Sequence, residues 1–381
     1  MTSAQPLERV HLNAHEPEDE YKLTGLGPIP KKKPGTIRIF VDGCFDMLHF
    51  GHTNALRQAR ALGHELFVGC HTNEEVMRFK GPPIMNADER YEALRACKWV
   101  DYVIEDMPYC TRLKDIELLD VDFVAHGDDI STGLDGRNSY QEIIDAGKFK
   151  VFKRTDGIST TDLVGRMLLC TRDHQIRGVP VDAEDISRAQ MRYLTTTRKI
   201  LQFSNSRSPT PDDRIVYVDG SFDLFHIGHV RLLQKAREHG TYVIVGLHED
   251  SVTNAVKGSN YPIMNLNERV LGVLSCRYVD EVVMGVPFAV TDEVIKGLNV
   301  DVVVGGKRNE AHDQDDPWKV PKAKGIFREV DSGCDLTTDG VIQRVMEHRQ
   351  AFIERQKKKV VKDAAMEESK PEEYRNVREV A

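Results

Sequence analysis

The 381-residue chain has no apolar stretch approaching the ~20 residues that cross a bilayer. No apolar h-region marks the N-terminus, so no secretory signal is read there. Its seven cysteines are odd in number and scattered without a CxxC pair. That speaks against a disulfide framework and places the chain in a reducing, cytoplasmic setting. The net charge of −8 excludes a general nucleic-acid surface, though not a local basic pocket. A GxxxxGK[ST] loop is missing, which removes a P-loop nucleotide site. Nor does GxGxxG follow the first predicted strand, so a dinucleotide redox role has no support. What remains is a soluble globular composition, 40% hydrophobic and 29% charged, long enough for two domains of ordinary size.

One stretch organises the rest. GCFDMLHFGH, from Gly43 to His52, has a near copy in GSFDLFHIGH, from Gly220 to His229. The runs IRIFVD and RIVYVD before them read as buried strands broken by glycine. After them, TNALRQARALG and VRLLQKAREHG carry apolar residues at helical spacing and a glycine stop. Each copy is thus predicted to be a strand, a short loop and the first turn of a helix, where unpaired N–H groups favour anions. His49 with His52, and His226 with His229, share a face of that turn and point to a phosphate site. Such a pair alone is also a zinc-ligand spacing, but no cysteine or histidine cluster lies nearby to complete one.

The duplication runs well beyond the motif. His226 lies 177 residues after His49, Lys257 lies 177 after Lys80, and Arg269 lies 179 after Arg90. Both copies carry KG, then PIMN, then ER. Strands and helices alternate in each, which predicts an α/β fold of two tandem domains with parallel sheets flanked by helices. The divisions read are a disordered or loosely attached leader over 1–35, a catalytic domain over 36–170 and a helical linker over 171–212. A second domain follows over 213–347, then a charged tail over 348–381 read as a solvated, fraying helix.

Within the first half, two histidines, Lys80 in RFKGPP and Arg154 before the Ser159-Thr160-Thr161 helix start would surround a polyphosphate with donors and charge. Asp128 and Asp129 in AHGDD would suit a cation. With no Ser-His-Asp arrangement and no poised cysteine, such a site fits direct displacement at phosphorus.

HxGH after a first strand, KG in a mid-domain loop and RTxGISTTD closing the domain resemble the cytidylyltransferase branch of the HxGH nucleotidyltransferases. Two such units in tandem, with no long amphipathic membrane helix behind them, are similar to the members that act on phosphoethanolamine rather than phosphocholine. The resemblance covers about residues 36–170 and 213–347, and implies that the fold is two tandem Rossmann-like nucleotidyltransferase domains with parallel sheets flanked by helices. It implies transfer of a cytidylyl group from CTP to phosphoethanolamine with release of pyrophosphate, in phospholipid synthesis. Phosphocholine, glycerol 3-phosphate and a non-catalytic nucleotide-sensing scaffold are the alternatives.

Carried over, the family's roles make His49, His52, Lys80 and Arg154 catalytic. Nucleotide contacts fall to Gly43, Cys44, Phe45, His52, Lys80 and Arg154, with Ile158, Ser159 and Thr160. The substrate's ammonium would be met by Asp46, Tyr109, Asp128 and Asp129. In the second half the nucleotide set becomes Ser221, Phe222, His226, His229, Lys257 and Lys307, with Leu336, Thr337 and Thr338. Mg2+ is implied as a companion of CTP, without a protein-bound metal. No nucleic-acid partner and at most peripheral membrane contact are expected, and an oligomer stays open.

The second half departs from the first in two places. RTDGIST becomes REVDSGCDLT, so that Ser159 is matched by Leu336 and nothing replaces Arg154. His126-Gly127-Asp128 becomes Gly305-Gly306-Lys307, and that lysine is expected to repel an ammonium substrate. The expectation is a division of labour, with turnover in the first half and nucleotide binding in the second.

Overall fold

The computed structural model describes residues 10–11, 30–129, 138–175, 195–205, 207–307, 316–357, 374 and 377–380. The chain forms two compact units, one of residues 1–156 with 347–381, the other of residues 157–346.

In the first unit the strands are β1 (Val10–His11), β2 (Arg38–Gly43), β3 (Glu65–His71), β4 (Tyr102–Met107), β5 (Phe123–Gly127) and β6 (Phe149–Phe152). They pair in the order β1-β4-β3-β2-β5-β6, every pair parallel. Strand β2 shows why the sheet is buried on both sides. Ile39 and Val41 enter one core with Leu56, Leu66 and Leu94, while Phe40 enters the opposite one with Phe67, Ile116 and Val124. A period of two on a strand with two apolar faces leaves a continuous hydrophobic run, as IRIFV reads. Three helices matter for the site: α1 (Phe50–Ala61), α2 (Asn73–Lys80) and α3 (Ala87–Ala96).

The second unit repeats the plan. Its strands β7 (Ile215–Gly220), β8 (Tyr242–Leu247), β9 (Glu281–Met284), β10 (Val302–Gly306) and β11 (Phe327–Val330) run parallel in the order β11-β10-β7-β8-β9. This matches β6-β5-β2-β3-β4 strand for strand. In both sheets the order reverses beside the first strand of the copy, between β2 and β5 and between β7 and β10. The carboxyl ends beside such a reversal are where ligands bind in open α/β sheets.

Two segments read as loose are tied at described points. In the leader, β1 pairs with β4, Lys32 Nζ bonds Asp122 at 2.6 Å and the buried Arg38 donates to the Pro30 carbonyl. In the tail, Arg57 of α1 donates to Glu379 at 2.9 Å and to the Val380 carbonyl at 2.8 Å, and Val380 packs on the first core. The predicted linker helix is present over Thr197–Phe203, and its earlier part lies outside the described residues.

Candidate active site

The loops after β2 and β7 follow the same strained path. Phe45 and Met47 have φ of 49° and 47°, and Phe222 and Leu224 both have 48°. Each non-glycine residue in that region costs about 1 kcal/mol or more and persists only where its surroundings hold it. Asp46 and Asp223 supply the hold. The buried Asp46 carboxylate accepts from Ile84 N at 2.9 Å and Met85 N at 2.8 Å; Asp223 accepts from Ile263 N at 2.6 Å and Met264 N at 2.9 Å. The repeated FD and PIMN are therefore two ends of one device. Arg90 and Arg269, the arginines of the repeated ER, are its third part. Arg90 donates to the carbonyls of Cys44 and His71 at 2.9 and 2.8 Å, and Arg269 to those of Ser221 and His248 at 2.7 and 2.8 Å. Asp46, expected among the ammonium-binding groups, is thus engaged by backbone N–H groups beneath the site.

Each HxGH pair builds the first turn of its helix. His49 caps α1, with its Nδ1 accepting from Gly51 N at 3.1 Å, and His52 Nδ1 accepts from His49 N at 3.4 Å. The rings stack with centroids 3.9 Å apart. His226 and His229 repeat both bonds and the 3.9 Å separation. Because each Nδ1 is an acceptor, the neutral ring carries its proton on Nε2, so each imidazole presents a donor. Burial pushes His52 down to about 3, helped by the positive charges of Lys80 and Arg154. His226 is pushed down to about 3 by burial, then by Lys257 and Arg344. His229 falls well below its ordinary value for the same leading reason. Neutral donors next to fixed cations make a site that awaits anionic charge.

Lys80 ends α2, and its Nζ lies 5.9 Å from the ring centroid of Tyr109. Its proton is held more tightly than usual, chiefly by Cys44, against the desolvation that opposes it; Tyr109 and Asp129 add to the hold. Tyr109 stacks on Phe79 at 3.9 Å and donates its backbone N–H to Glu75 at 2.8 Å. His49, His52, Lys80, Arg154 and Tyr109 are brought together in the first unit, beside Cys44 and Phe45. Asp128 and Asp129 already have basic partners. Asp128 accepts from Lys153 Nζ at 3.2 Å and Arg154 N at 2.9 Å, and Asp129 pairs with Arg154 at 2.5 Å. They shape the arginine. Ile158, Ser159 and Thr160 belong to the second compact unit. There Ser159 caps the helix Thr160–Leu169, accepting from Asp162 N at 3.2 Å.

One carboxylate was missed by the sequence reading. Asp42, buried at the end of β2, accepts from the Tyr140 hydroxyl at 2.6 Å and from the Thr111 hydroxyl. His71, Tyr109 and Tyr140 all feel its charge. Its partners lie 69 and 98 residues away in sequence, so only the repeated Asp-Gly before the motif, Asp42-Gly43 and Asp219-Gly220, signals it.

In the second unit the capping geometry corrects one equivalence. Thr337 Oγ1 accepts from Gly340 N at 3.0 Å at the start of the helix Thr338–Glu347. Thr337 is therefore the counterpart of Ser159, and Leu336 that of Ile158. The Leu336 carbonyl would stand 2.8 Å from a Cβ on Gly228, and Thr338 Oγ1 donates to the Asp223 carbonyl at 3.1 Å. Here the two helix starts do meet, and glycine in HxGH is what lets them. Lys307 is also not the isolated cation expected. It pairs with Asp331 at 3.2 Å, where the first unit has Asp128 with Lys153, so the ion pair is reversed. Ser332 stands in the place of Arg154, one residue past that pair.

The family model described as cytidylyltransferase-like matches residues 40–177 and 217–368. The chain is 50% identical to ethanolamine-phosphate cytidylyltransferase of Dictyostelium discoideum, over 87% of this chain and 96% of that protein. It is 44% identical to the Mus musculus protein of the same name, over 89% and 93%. Choline-phosphate cytidylyltransferase 2 of Arabidopsis thaliana is 37% identical over 42% of this chain and 53% of its own length.

Proposed function

Since the chain belongs to the cytidylyltransferase-like family, among the ethanolamine-phosphate cytidylyltransferases, we propose how its residues share the work of that reaction. The chain is a nucleotidyltransferase that joins CTP to phosphoethanolamine, giving CDP-ethanolamine and pyrophosphate for phosphatidylethanolamine synthesis. A phosphate oxygen of phosphoethanolamine attacks the α-phosphorus of CTP as the bond to the bridging oxygen breaks, and pyrophosphate takes up that electron pair.

In our reading the first half turns over. The Nε2–H groups of His49 and His52 donate to the α-phosphoryl oxygens as charge builds there, while Lys80 and Arg154 neutralise the attacking and leaving phosphates. The observation that carries this is the placement of His52, depressed first by burial and then by the charges of Lys80 and Arg154, so that all three share one neighbourhood. The ammonium end goes to Asp42, flanked by Tyr109 and Tyr140. A primary ammonium donates three hydrogen bonds, and a carboxylate ringed by hydroxyls supplies acceptors. Asp128 and Asp129 keep Arg154 in place instead. No group of three or more His, Cys, Asp or Glu able to hold a metal occurs among the described residues. Mg2+ is proposed as the companion of CTP, where it would neutralise charge on the phosphates.

The second half keeps His226, His229, Lys257, Thr337 and Thr338 without a counterpart of Arg154, which supports nucleotide binding there without turnover. The test is pyrophosphate release from CTP with phosphoethanolamine, phosphocholine or neither, in the native chain and in His52→Ala. Full activity in His52→Ala would overturn the assignment of catalysis to the first half.

A further inference from the structure

The second unit contains a cavity of about 240 Å³, many times the ~10–15 Å³ that one water needs. His226, His229, Lys257, Thr337 and Thr338 line its phosphate side. Asp219, Phe288 and Trp318 also line it, and they are the counterparts of Asp42, Tyr109 and Tyr140. The equivalence of Trp318 and Tyr140 rests on shared geometry. Trp318 N donates to Asp316 as Tyr140 N does to Asn138, and Trp318 stacks on Phe327 as Tyr140 packs on Phe149.

The carboxylate is kept while its hydroxyl surroundings are removed. Tyr109 becomes Phe288, Tyr140 becomes Trp318, and Thr111 becomes the buried Val290. Asp219 accepts from the Trp318 indole N–H at 3.3 Å, in place of two hydroxyls. A primary ammonium must satisfy three N–H groups, and beside Asp219 the three hydroxyl oxygens that could help receive them are gone. A methylated ammonium has few or no N–H groups and is held by a negative charge and aromatic faces. The pairing of Lys307 with Asp331 removes the repulsion that an unpaired lysine would exert.

We propose that the second-unit cavity binds a phosphate ester of an N-methylated amino alcohol, of the phosphocholine class, with its cation between Asp219, Trp318 and Phe288 and its phosphate at His226, His229 and Lys257. The proposal rests on the reading of the repeated histidines as a phosphate site. The chain has two tryptophans, Trp99 and Trp318, so Trp99→Phe leaves Trp318 as the sole indole reporter. Its emission is titrated with phosphocholine, phosphoethanolamine and inorganic phosphate, with and without CTP, and CTP binding is measured separately by calorimetry.

Phosphocholine is expected to shift the emission saturably, with a Kd at least about five-fold below that of phosphoethanolamine. Asp219→Asn should raise that Kd about ten-fold or more while leaving pyrophosphate release in the first unit unchanged. Equal or tighter binding of phosphoethanolamine, insensitivity to Asp219→Asn, or no saturable response overturns the proposal. No phosphocholine response with two CTP binding events intact defeats this inference alone, whereas no response together with a single CTP event defeats the phosphate reading of the second unit. Should Trp99→Phe not fold, calorimetric titration of the native chain against Asp219→Asn decides the same point.

Discussion

At the scale of single residues, protonation separates two kinds of role. His52, pushed down to about 3, is neutral across the physiological range, so it acts as a donor and not as a titrating acid. Replacing it by alanine should lower kcat by about 10²–10³-fold, the usual loss for a donor aimed at developing charge. The pH profile of the residual activity should keep the native shape. A profile that loses an inflection between pH 5 and 8 would instead mean that the imidazole exchanges a proton in the reaction.

Asp219 is the opposite case, since burial pushes its carboxyl up to about 6. The native state then holds a proton that the unfolded chain, titrating near ~3.9, has released. Stability of the second unit therefore falls as pH rises from about 4 to 6, and the cost is complete above that. Asp219→Asn should stabilise the unit at pH 7 by about 1–2 kcal/mol, a figure discounted because the carboxyl lines an open cavity. Thermal melts at pH 4.5 and 7 measure it, and a variant less stable than the native chain at pH 7 would contradict the assignment. A carboxylate that destabilises its own fold needs a reason to be there, and an ammonium ligand is one.

At the scale of elements, the strand, loop and helix around each HxGH were legible because their signals are local. A β-branched run, a glycine and a 3.6-residue period lie within thirty residues or so. The bonds that hold the loop were not legible, because Asp46 meets Ile84 and Met85 across 38 and 39 residues. Repetition of FD and PIMN pointed to importance without saying that one grips the other. Asp46→Ala would leave two backbone N–H groups without that acceptor and release the positive-φ loop, at about 2–4 kcal/mol. Because Ile84 and Met85 follow Lys80 closely, KM for CTP should rise along with the loss in melting temperature. A stable variant with native KM would show that the loop holds its shape unaided. The cap was misread by one residue for a related reason. Sequence alone offered Leu-Thr-Thr against Ser-Thr-Thr, and only the Thr337 bond to Gly340 N fixes the register.

At the scale of the whole molecule, duplication supplied two sheets of the same order and then allowed their sites to diverge. The fold was legible because the strand runs of β2 to β6 recur in β7 to β11, which makes chance agreement of pattern small. The divergence was only partly legible, since it lies in pairs that are distant in sequence. Asp42 with Tyr140 becomes Asp219 with Trp318, and Asp128 with Lys153 becomes Lys307 with Asp331. Read singly, Lys307 looked hostile to a cationic ligand; read as a reversed pair, it conserves local charge. Both units then keep their phosphate donors, and the native chain should bind two CTP per molecule by calorimetry. His229→Ala should leave one binding event and retain most of the turnover, because Lys80 and Arg154 of the first unit are untouched. His52→Ala should also leave one event, but with turnover lowered by about 10²–10³-fold. If His229→Ala still binds two nucleotides, the second set of histidines is not a phosphate site, and only ancestry explains its likeness to the first.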